Sequence, residues 1–416
     1  MLGNADYSTN SGNKKILLVF DWSNLFFRSL FLHQMFSGRG SATTYARKED
    51  VDSFIFKFCQ DVLALVKIFS NEGVAGISFP QILICCDSKD AWRKSILPVD
   101  DEGNGYKSNR EKDPNIEWDT VYEASDGLLD ILRKKVGCTV AITDHAEADD
   151  LICMVKESVA SDFPDYNIII VSADADLRQL LSFDPVTHQF CIVYNTTTRP
   201  KSKTRRLYVP EGFNAWLSEP DNVDIFFSNF DASKTYMKSV LENNGAIEPY
   251  VENASEIVLS KLFCGDASDM VPAMYSYYKN GKQARITPAK YKKIVEMLNI
   301  KDVPSLLENV AGLPGVIEKV CKVTPSDVDF NERVLFQRRL VELNSSLFPD
   351  EIASYKDTIK YMIRNGEHVK AGVSLRAQDI LKGTLYEGAD KKKALAADVI
   401  KDLEKITINV GNKPLF

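Results

Sequence analysis

The sequence predicts an α/β protein built on a mostly parallel sheet flanked by helices, followed by a smaller helical C-terminal portion. Three observations predict it. Short apolar runs at Lys15 to Phe20, Gln81 to Cys86, Thr139 to Thr143, Asn167 to Ser172 and Gln189 to Tyr194 alternate with segments of helical spacing. Within each run the apolar residues are continuous rather than alternating, as in strands buried on both faces under crossover helices. From about Ser255 onward the periodicity is helical.

In chain order, the first run ends at Asp21, and residues 51–69 then carry helical spacing. The second run ends just before Asp87. Residues 88–118 follow, a stretch long for a connection between sheet elements and of the length that often carries function. It mixes Lys89, Arg93, Lys94, Lys107, Arg110 and Lys112 with Trp92, Tyr106 and Trp118. Residues 120–135 read as a helix, and another starts near Ala146. The fourth run ends just before Asp174. Residues 196–252 begin basic (Arg199, Lys201, Lys203, Arg205, Arg206) and turn acidic and Asn-rich, which marks an insertion or excursion. Helices are expected at 255–264, stopped by Gly265, and at 288–298, 303–310, 329–342, 350–364 and 389–405. The expected domains are 1–265 and 266–416.

Composition sets the broad class. At 416 residues two domains are the natural expectation, and 44% hydrophobic with 26% charged residues is ordinary for a globular chain. No run of about 18 apolar residues suggests a membrane span, and the polar first residues lack the apolar core of a secretory signal. The eight cysteines are scattered without zinc or disulfide spacing, which suits a cytoplasmic setting. A net charge of −7 is neutral on nucleic-acid binding, because affinity for phosphates depends on where basic residues cluster.

The carboxylates carry the chemistry. In an open parallel sheet, ligands bind outside the carboxyl ends of the strands, and there the sequence sets Asp21, Asp87 and Asp174. Glu147, Asp149 and Asp150 open a helix; Asp176 follows Asp174 by two; Asp266 and Asp269 lie just past a helix stop. Each acid alone fits a bland role as a helix cap, a solvated first turn or a turn residue. Gathered at one sheet edge, nine acids would repel one another and resist ionisation. Divalent cations resolve that conflict, and oxygen-only ligands favour Mg²⁺ or Mn²⁺ over zinc. Two such ions suit in-line phosphoryl displacement.

At these residues the chain resembles the 5′-nuclease superfamily of flap endonucleases and phage 5′→3′ exonucleases. The matching motifs are VFDWSN (19–24), CCDSKDAWRK (85–94), YKSNR (106–110), AEADD (146–150), SADADLRQLL (172–181) and GDASDMVP (265–272), in the family's order. The resemblance implies a PIN-like fold with a helical arch at 88–118. It also implies one metal site on Asp21, Asp87, Glu147 and Asp149 with Asp150 nearby, and a second on Asp174, Asp176, Asp266 and Asp269. Lys107 and Arg110 would face the scissile phosphate, and Lys261 matches a basic position of phage members. Arg93, Lys94 and Tyr106 are expected nucleic-acid contacts, with Tyr106 or Trp92 stacking on an unpaired base.

The C-terminal portion, through ITPAKYKKIVEML (286–298) and residues 330–355, is most similar to the ribonuclease H branch of T-even phages. The family's Gly-rich hairpin is replaced here by a stretch with a single glycine, Gly281. Lys279, Lys282, Arg285 and Lys290 remain as candidate phosphate contacts. The resemblance implies two Mg²⁺ ions, for which Mn²⁺ can substitute, and substrates of flapped or nicked duplex DNA and RNA–DNA hybrid. The implied work is RNA primer removal in the host cytoplasm, by a monomer, alongside a single-stranded DNA-binding protein. The rival reading is a non-catalytic DNA-structure-binding protein on the same fold. Family members of that kind lose several acids, whereas all nine positions are filled here.

Overall fold

The computed structural model describes residues 14–36, 48–69, 71–73, 76–78, 80–114, 116–197, 205–217, 219, 247–279, 281–325, 328–369 and 373–387. The expected helix at 389–405 and the basic residues Arg199, Lys201 and Lys203 lie outside them.

In chain order the elements begin with β1 (Lys15–Asp21), α1 (Trp22–Phe36) and α2 (Lys48–Ile68). A small hairpin, β2 (Asn71–Gly73) and β3 (Gly76–Ser78), precedes β4 (Gln81–Cys85), and the short α3 (Arg93–Ile96) leads to α4 (Trp118–Ile131), β5 (Thr139–Ala141) and α5 (Ala148–Asp162). Then come β6 (Tyr166–Val171), β7 (Ser182–Phe183), β8 (Phe190–Asn195), β9 (Arg205–Val209), α6 (Glu211–Leu217), β10 (Ile247–Val251) and α7 (Ala254–Cys264). The last part holds the hairpin β11 (Ser276–Lys279) and β12 (Lys282–Arg285), with helices α8 (Pro288–Leu298), α9 (Val303–Glu308), α10 (Leu313–Cys321), α11 (Phe330–Val341), α12 (Asp350–Ala353), α13 (Lys356–Asn365) and α14 (Ala377–Ile380).

The main sheet has the order β10-β9-β8-β6-β1-β4-β5, with β7 pairing β8. Strands β5, β4, β1, β6 and β8 run parallel, β8 and β9 pair antiparallel, and β9 and β10 are parallel again. The continuous apolar runs behave as expected, with β4, β6 and β8 buried at every position. Leu151, Ile152 and Val155 of α5 join Leu17, Val19, Leu83, Ile168 and Ile170 in one core cluster.

Two sequence expectations need correction. Within the insertion or mobile excursion expected at 196–252, residues 205–209 and 247–251 are part of the sheet, because β9 and β10 extend it beyond β8. The division at residue 265 is also absent. Among the described residues, one compact unit lies within 1–25, 69–111 and 139–368, and the other within 26–68, 112–138 and 369–416. Helices after 265 therefore belong with the sheet; Glu157 on α5 accepts hydrogen bonds from Ser345 N at 3.0 Å and Lys356 Nζ at 2.6 Å. The second unit has an aromatic core in which Phe54 and Phe58 stack and Phe26 meets both edge-on. Among the described residues, no helix is long and apolar enough to cross a membrane.

Candidate metal centre

The parallel pairing decides which acids can meet. In register, Asp21 of β1 pairs with Cys85 of β4, and Phe20 pairs with Val171 of β6. Asp21, Asp87 and Asp174 thus leave adjacent strands at the same sheet edge. Asp21 is buried, and its carboxylate accepts from Ser172 Oγ at 2.7 Å and from Asn24 N at 3.2 Å. Ser172 Oγ in turn accepts from Asp174 N at 2.9 Å, and Asn24 Oδ1 accepts from Ala173 N at 3.0 Å. The β1 end and the β6 end are therefore laced together. Ser172 and Asn24 were not singled out as site residues, although both lie inside the VFDWSN and SADAD motifs.

Asp87 reaches the other way. Its Oδ1 accepts from Ala148 N, 2.7 Å away, at the open N-terminus of α5, where an acid is favoured by free N–H groups and the helix dipole. That contact sets Asp149 of the first turn beside Asp21 and Asp174, which both act to raise its pKa. Asp174 Oδ1 accepts from Asp176 N at 2.8 Å, turning the chain so that Asp176 approaches the GDASD loop. There Asp176, Asp266 and Asp269 bring one oxygen each to within 4.8 Å of one another. Gly265 makes the loop possible: its φ is +73°, and a Cβ would stand 2.4 Å from the Val271 carbonyl oxygen.

Electrostatics separates the acids into two kinds. Asp21 is pushed up to about 7, first by burial and then by Asp87 and Asp174. Asp149 rises well above the usual carboxylate range, by burial and then by Asp174 and Asp21. Asp176 rises to about 6 by burial and the neighbouring Asp174, although Lys261 opposes the shift. These acids face more negative charge than the protein's own cations balance.

Glu147 and Asp150 are the second kind. Burial would raise Glu147, yet Lys107 and Arg93 hold it down at about 2. Glu147 Oε2 accepts from Arg93 Nη1 and from Tyr106 Oη, both at 2.9 Å, and its Oε1 accepts from Lys107 Nζ. Asp150 is fully buried: Arg93 Nη2 lies 2.7 Å from Oδ1, while Oδ2 accepts from Trp92 Nε1 at 2.9 Å and from Glu147 N at 3.0 Å. Asp150, expected near the first metal, is thus taken up in protein contacts.

The same contacts correct the arch expected at 88–118 at three of its residues. Trp92, Arg93 and Tyr106 are all buried, and Arg93 stacks 4.6 Å from the Trp92 ring centroid. Neither aromatic presents a face to a base, and Arg93 presents no charge to a phosphate. The polar tips on Trp92 and Tyr106, each finding a carboxylate, explain why burial is tolerated. Of Arg93, Lys94 and Tyr106, Lys94 stays exposed, 3.8 Å from Asp90.

Lys107, Arg110 and Lys261 do come to the acids. Lys107 adopts a left-handed backbone at φ 55° and lies between Glu147 and Asp269, 3.7 Å from the latter. Arg110 Nη2 donates to Asp269 Oδ1 at 2.9 Å and remains open to solvent on its other side. Lys261 Nζ donates to both Asp176 and Asp266. Lys279, Lys282 and Arg285 are exposed on the β11–β12 hairpin, while Lys290 rests on Tyr277 and donates to the Arg285 carbonyl at 3.2 Å. The single-glycine stretch forms a two-stranded antiparallel hairpin, with Gly281 at φ +73°.

The chain is similar to several known proteins. Residues 16–209 match the family model of the 5′-3′ exonuclease N-terminal, resolvase-like domain. Ribonuclease H of Enterobacteria phage T4 is 25% identical over 123 residues, covering 28% of this chain and 38% of that protein. The chain is also similar to solved structures from bacteriophage T5. A flap endonuclease complex with DNA and metal ions has a TM-score of 0.47 at 14% identity, covering 84% of this chain and all of that one. A 5′-exonuclease with bound zinc has a TM-score of 0.46 at 14% identity, covering 85% and all of each respectively. Over residues 16–209, a little under half of its length, the chain is thus similar to the 5′-3′ exonuclease N-terminal, resolvase-like domain.

Proposed function

We propose that the chain is a divalent-metal-dependent phosphodiester hydrolase of the 5′→3′ exonuclease and flap endonuclease type. The observation that carries this reading is the cluster of Asp21, Asp149 and Asp176, whose acids are raised by burial and mutual repulsion at the carboxyl edge of a parallel sheet. The all-oxygen donor set fits Mg²⁺, with Mn²⁺ as a substitute. Asp21, Asp87 and Asp149, with Glu147, would hold one ion; Asp174, Asp176, Asp266 and Asp269 would hold a second. When bound, such ions acidify a water and neutralise charge on the attacking and leaving oxygens of an in-line displacement.

The chain's own residues do the rest. Lys107 and Arg110, converging on Asp269, set positive charge beside the acids, where a phosphate would gain negative charge in the transition state. Ser172 and Asn24 fix the direction of Asp21 and the β6 end. Lys279, Lys282 and Arg285 offer sequence-independent contacts to a duplex backbone. The work proposed is removal of RNA primers and trimming of flaps in the host cytoplasm, by a monomer that meets a single-stranded DNA-binding protein. The match to T4 ribonuclease H spans 38% of that protein and supports the nuclease class more than these particulars.

The test is cleavage of a 5′-labelled flap and an RNA–DNA duplex with Mg²⁺, with EDTA, and with Asp174→Ala. Metal-dependent cutting that the substitution abolishes, with binding retained, is the expected result. Tight binding without cleavage in Mg²⁺ or Mn²⁺ would leave the non-catalytic reading standing.

A further inference from the structure

Lys261 lies on α7 five residues before Asp266, and its ammonium donates to Asp176 Oδ1 and to Asp266 Oδ2. Those two carboxylates, together with Asp269, are the group whose oxygens converge within 4.8 Å. The lysine side chain keeps 17% of its exposure, so it does not snorkel into solvent. A cation of the protein's own therefore stands among the oxygens that the second divalent ion would take. Mg²⁺ binds carboxylate oxygens at about 2.0–2.1 Å in a near-ideal octahedron. An ammonium cannot keep donating to the same oxygens without facing a double charge at close range.

We propose that Lys261 is a built-in competitor for the second metal site. It neutralises Asp176 and Asp266 in the metal-free protein and must release at least one of them before the ion can bind. Lys261 thereby sets the affinity of that site and makes it the weaker of the two. This rests on the metal reading of the centre given above, and it adds a role for the lysine that contact with substrate does not require. The arrangement is also sequence-local on one side only: the Lys261–Asp266 spacing is set by α7 and its Gly265 stop, whereas Asp176 arrives from the end of β6.

The test is a Mn²⁺ titration of the full chain without nucleic acid, followed by calorimetry and by the loss of the free-ion paramagnetic resonance signal. In Lys261→Met the weaker dissociation constant should tighten by about tenfold, because a part-buried charge pair no longer has to be broken. Lys261→Arg keeps a cation and should bind as the wild type does. Unchanged or weaker affinity in a Lys261→Met protein that reaches the wild-type Tm with Mn²⁺ overturns the inference. A measurement without any variant guards against misfolding: the protected ¹⁵Nζ–H signal of Lys261 should disappear as the weaker site fills with Mg²⁺. Its persistence at saturation also overturns the inference. Absence of Mn²⁺ binding in the wild type would remove the metal reading itself, whereas two sites with unaltered affinities would remove this inference alone.

Discussion

Arg93 Nη1 stands 2.9 Å from Glu147 Oε2, and the two side chains keep only 3% and 8% of their exposure. The same guanidinium pairs with Asp150 at 2.7 Å. One buried cation therefore balances two acids of the AEADD motif and fixes the first turn of α5, from which Asp149 projects toward Asp21 and Asp174. A buried pair of this kind is weak support for net stability, but breaking it by removing one partner is costly.

Arg93→Ala should accordingly destabilise the fold by about 3–5 kcal/mol, since Glu147 and Asp150 are left buried with less compensation. Urea unfolding followed by circular dichroism measures it. A variant that lost nucleic-acid affinity but stayed within about 0.5 kcal/mol of wild type would show Arg93 to be a surface contact after all.

The raised acids make metal-free stability depend on pH with a definite sign. Asp21 at about 7 and Asp176 at about 6 both lie above the ordinary carboxylate value in the folded state. Their contribution is fully present below the unfolded value and is lost as pH rises through the folded one. In EDTA, Tm should fall between pH 5.5 and pH 8, and Mg²⁺ should restore it mainly at the upper end. Glu147, held at about 2, acts in the opposite sense, but its contribution is lost only as pH drops below the ordinary carboxylate range. Thermal melts at fixed ionic strength across that window decide the matter; a Tm that rises with pH in EDTA would contradict the cluster as described.

Gly265→Ala should cost about 2 kcal/mol or more, because φ +73° strains an L residue and the new Cβ meets the backbone at Val271 and Pro272. The loop carrying Asp266 and Asp269 would shift with it. Denaturant unfolding gives the stability change, and a Mn²⁺ titration should show loss of one site with the other retained. Equal weakening of both sites would mean the loop does not serve one ion in particular.

The β11–β12 hairpin predicts a salt effect. Replacing Lys279, Lys282 and Arg285 together by Ala should lower the slope of log affinity against log salt by up to about 3, since each phosphate contact contributes about 0.9 on duplex DNA. The loss should be alike for duplexes of unrelated sequence. Fluorescence anisotropy between low and moderate salt measures it, and an unchanged slope would assign the grip to other residues.

Much of this architecture was legible in the linear chain because its signals are local. A continuous apolar run forms a doubly buried strand wherever it sits, and β4, β6 and β8 appear within a residue of the expected positions. An acid just past such a strand must emerge at the sheet's carboxyl edge, so Asp21, Asp87 and Asp174 were already placed. What the tertiary structure decided was pairing. Sequence spacing does not tell which carboxylate meets a buried guanidinium, so Glu147 and Asp150 read like Asp149 until Arg93, Trp92 and Tyr106 fold inward against them. Nor does it tell that 205–209 and 247–251 pair with each other, because short strands gain their stability from partners distant in the chain. The sequence by itself determined which chemistry is present. Tertiary contacts determined which acids stand uncompensated, because that depends on charges arriving from other elements.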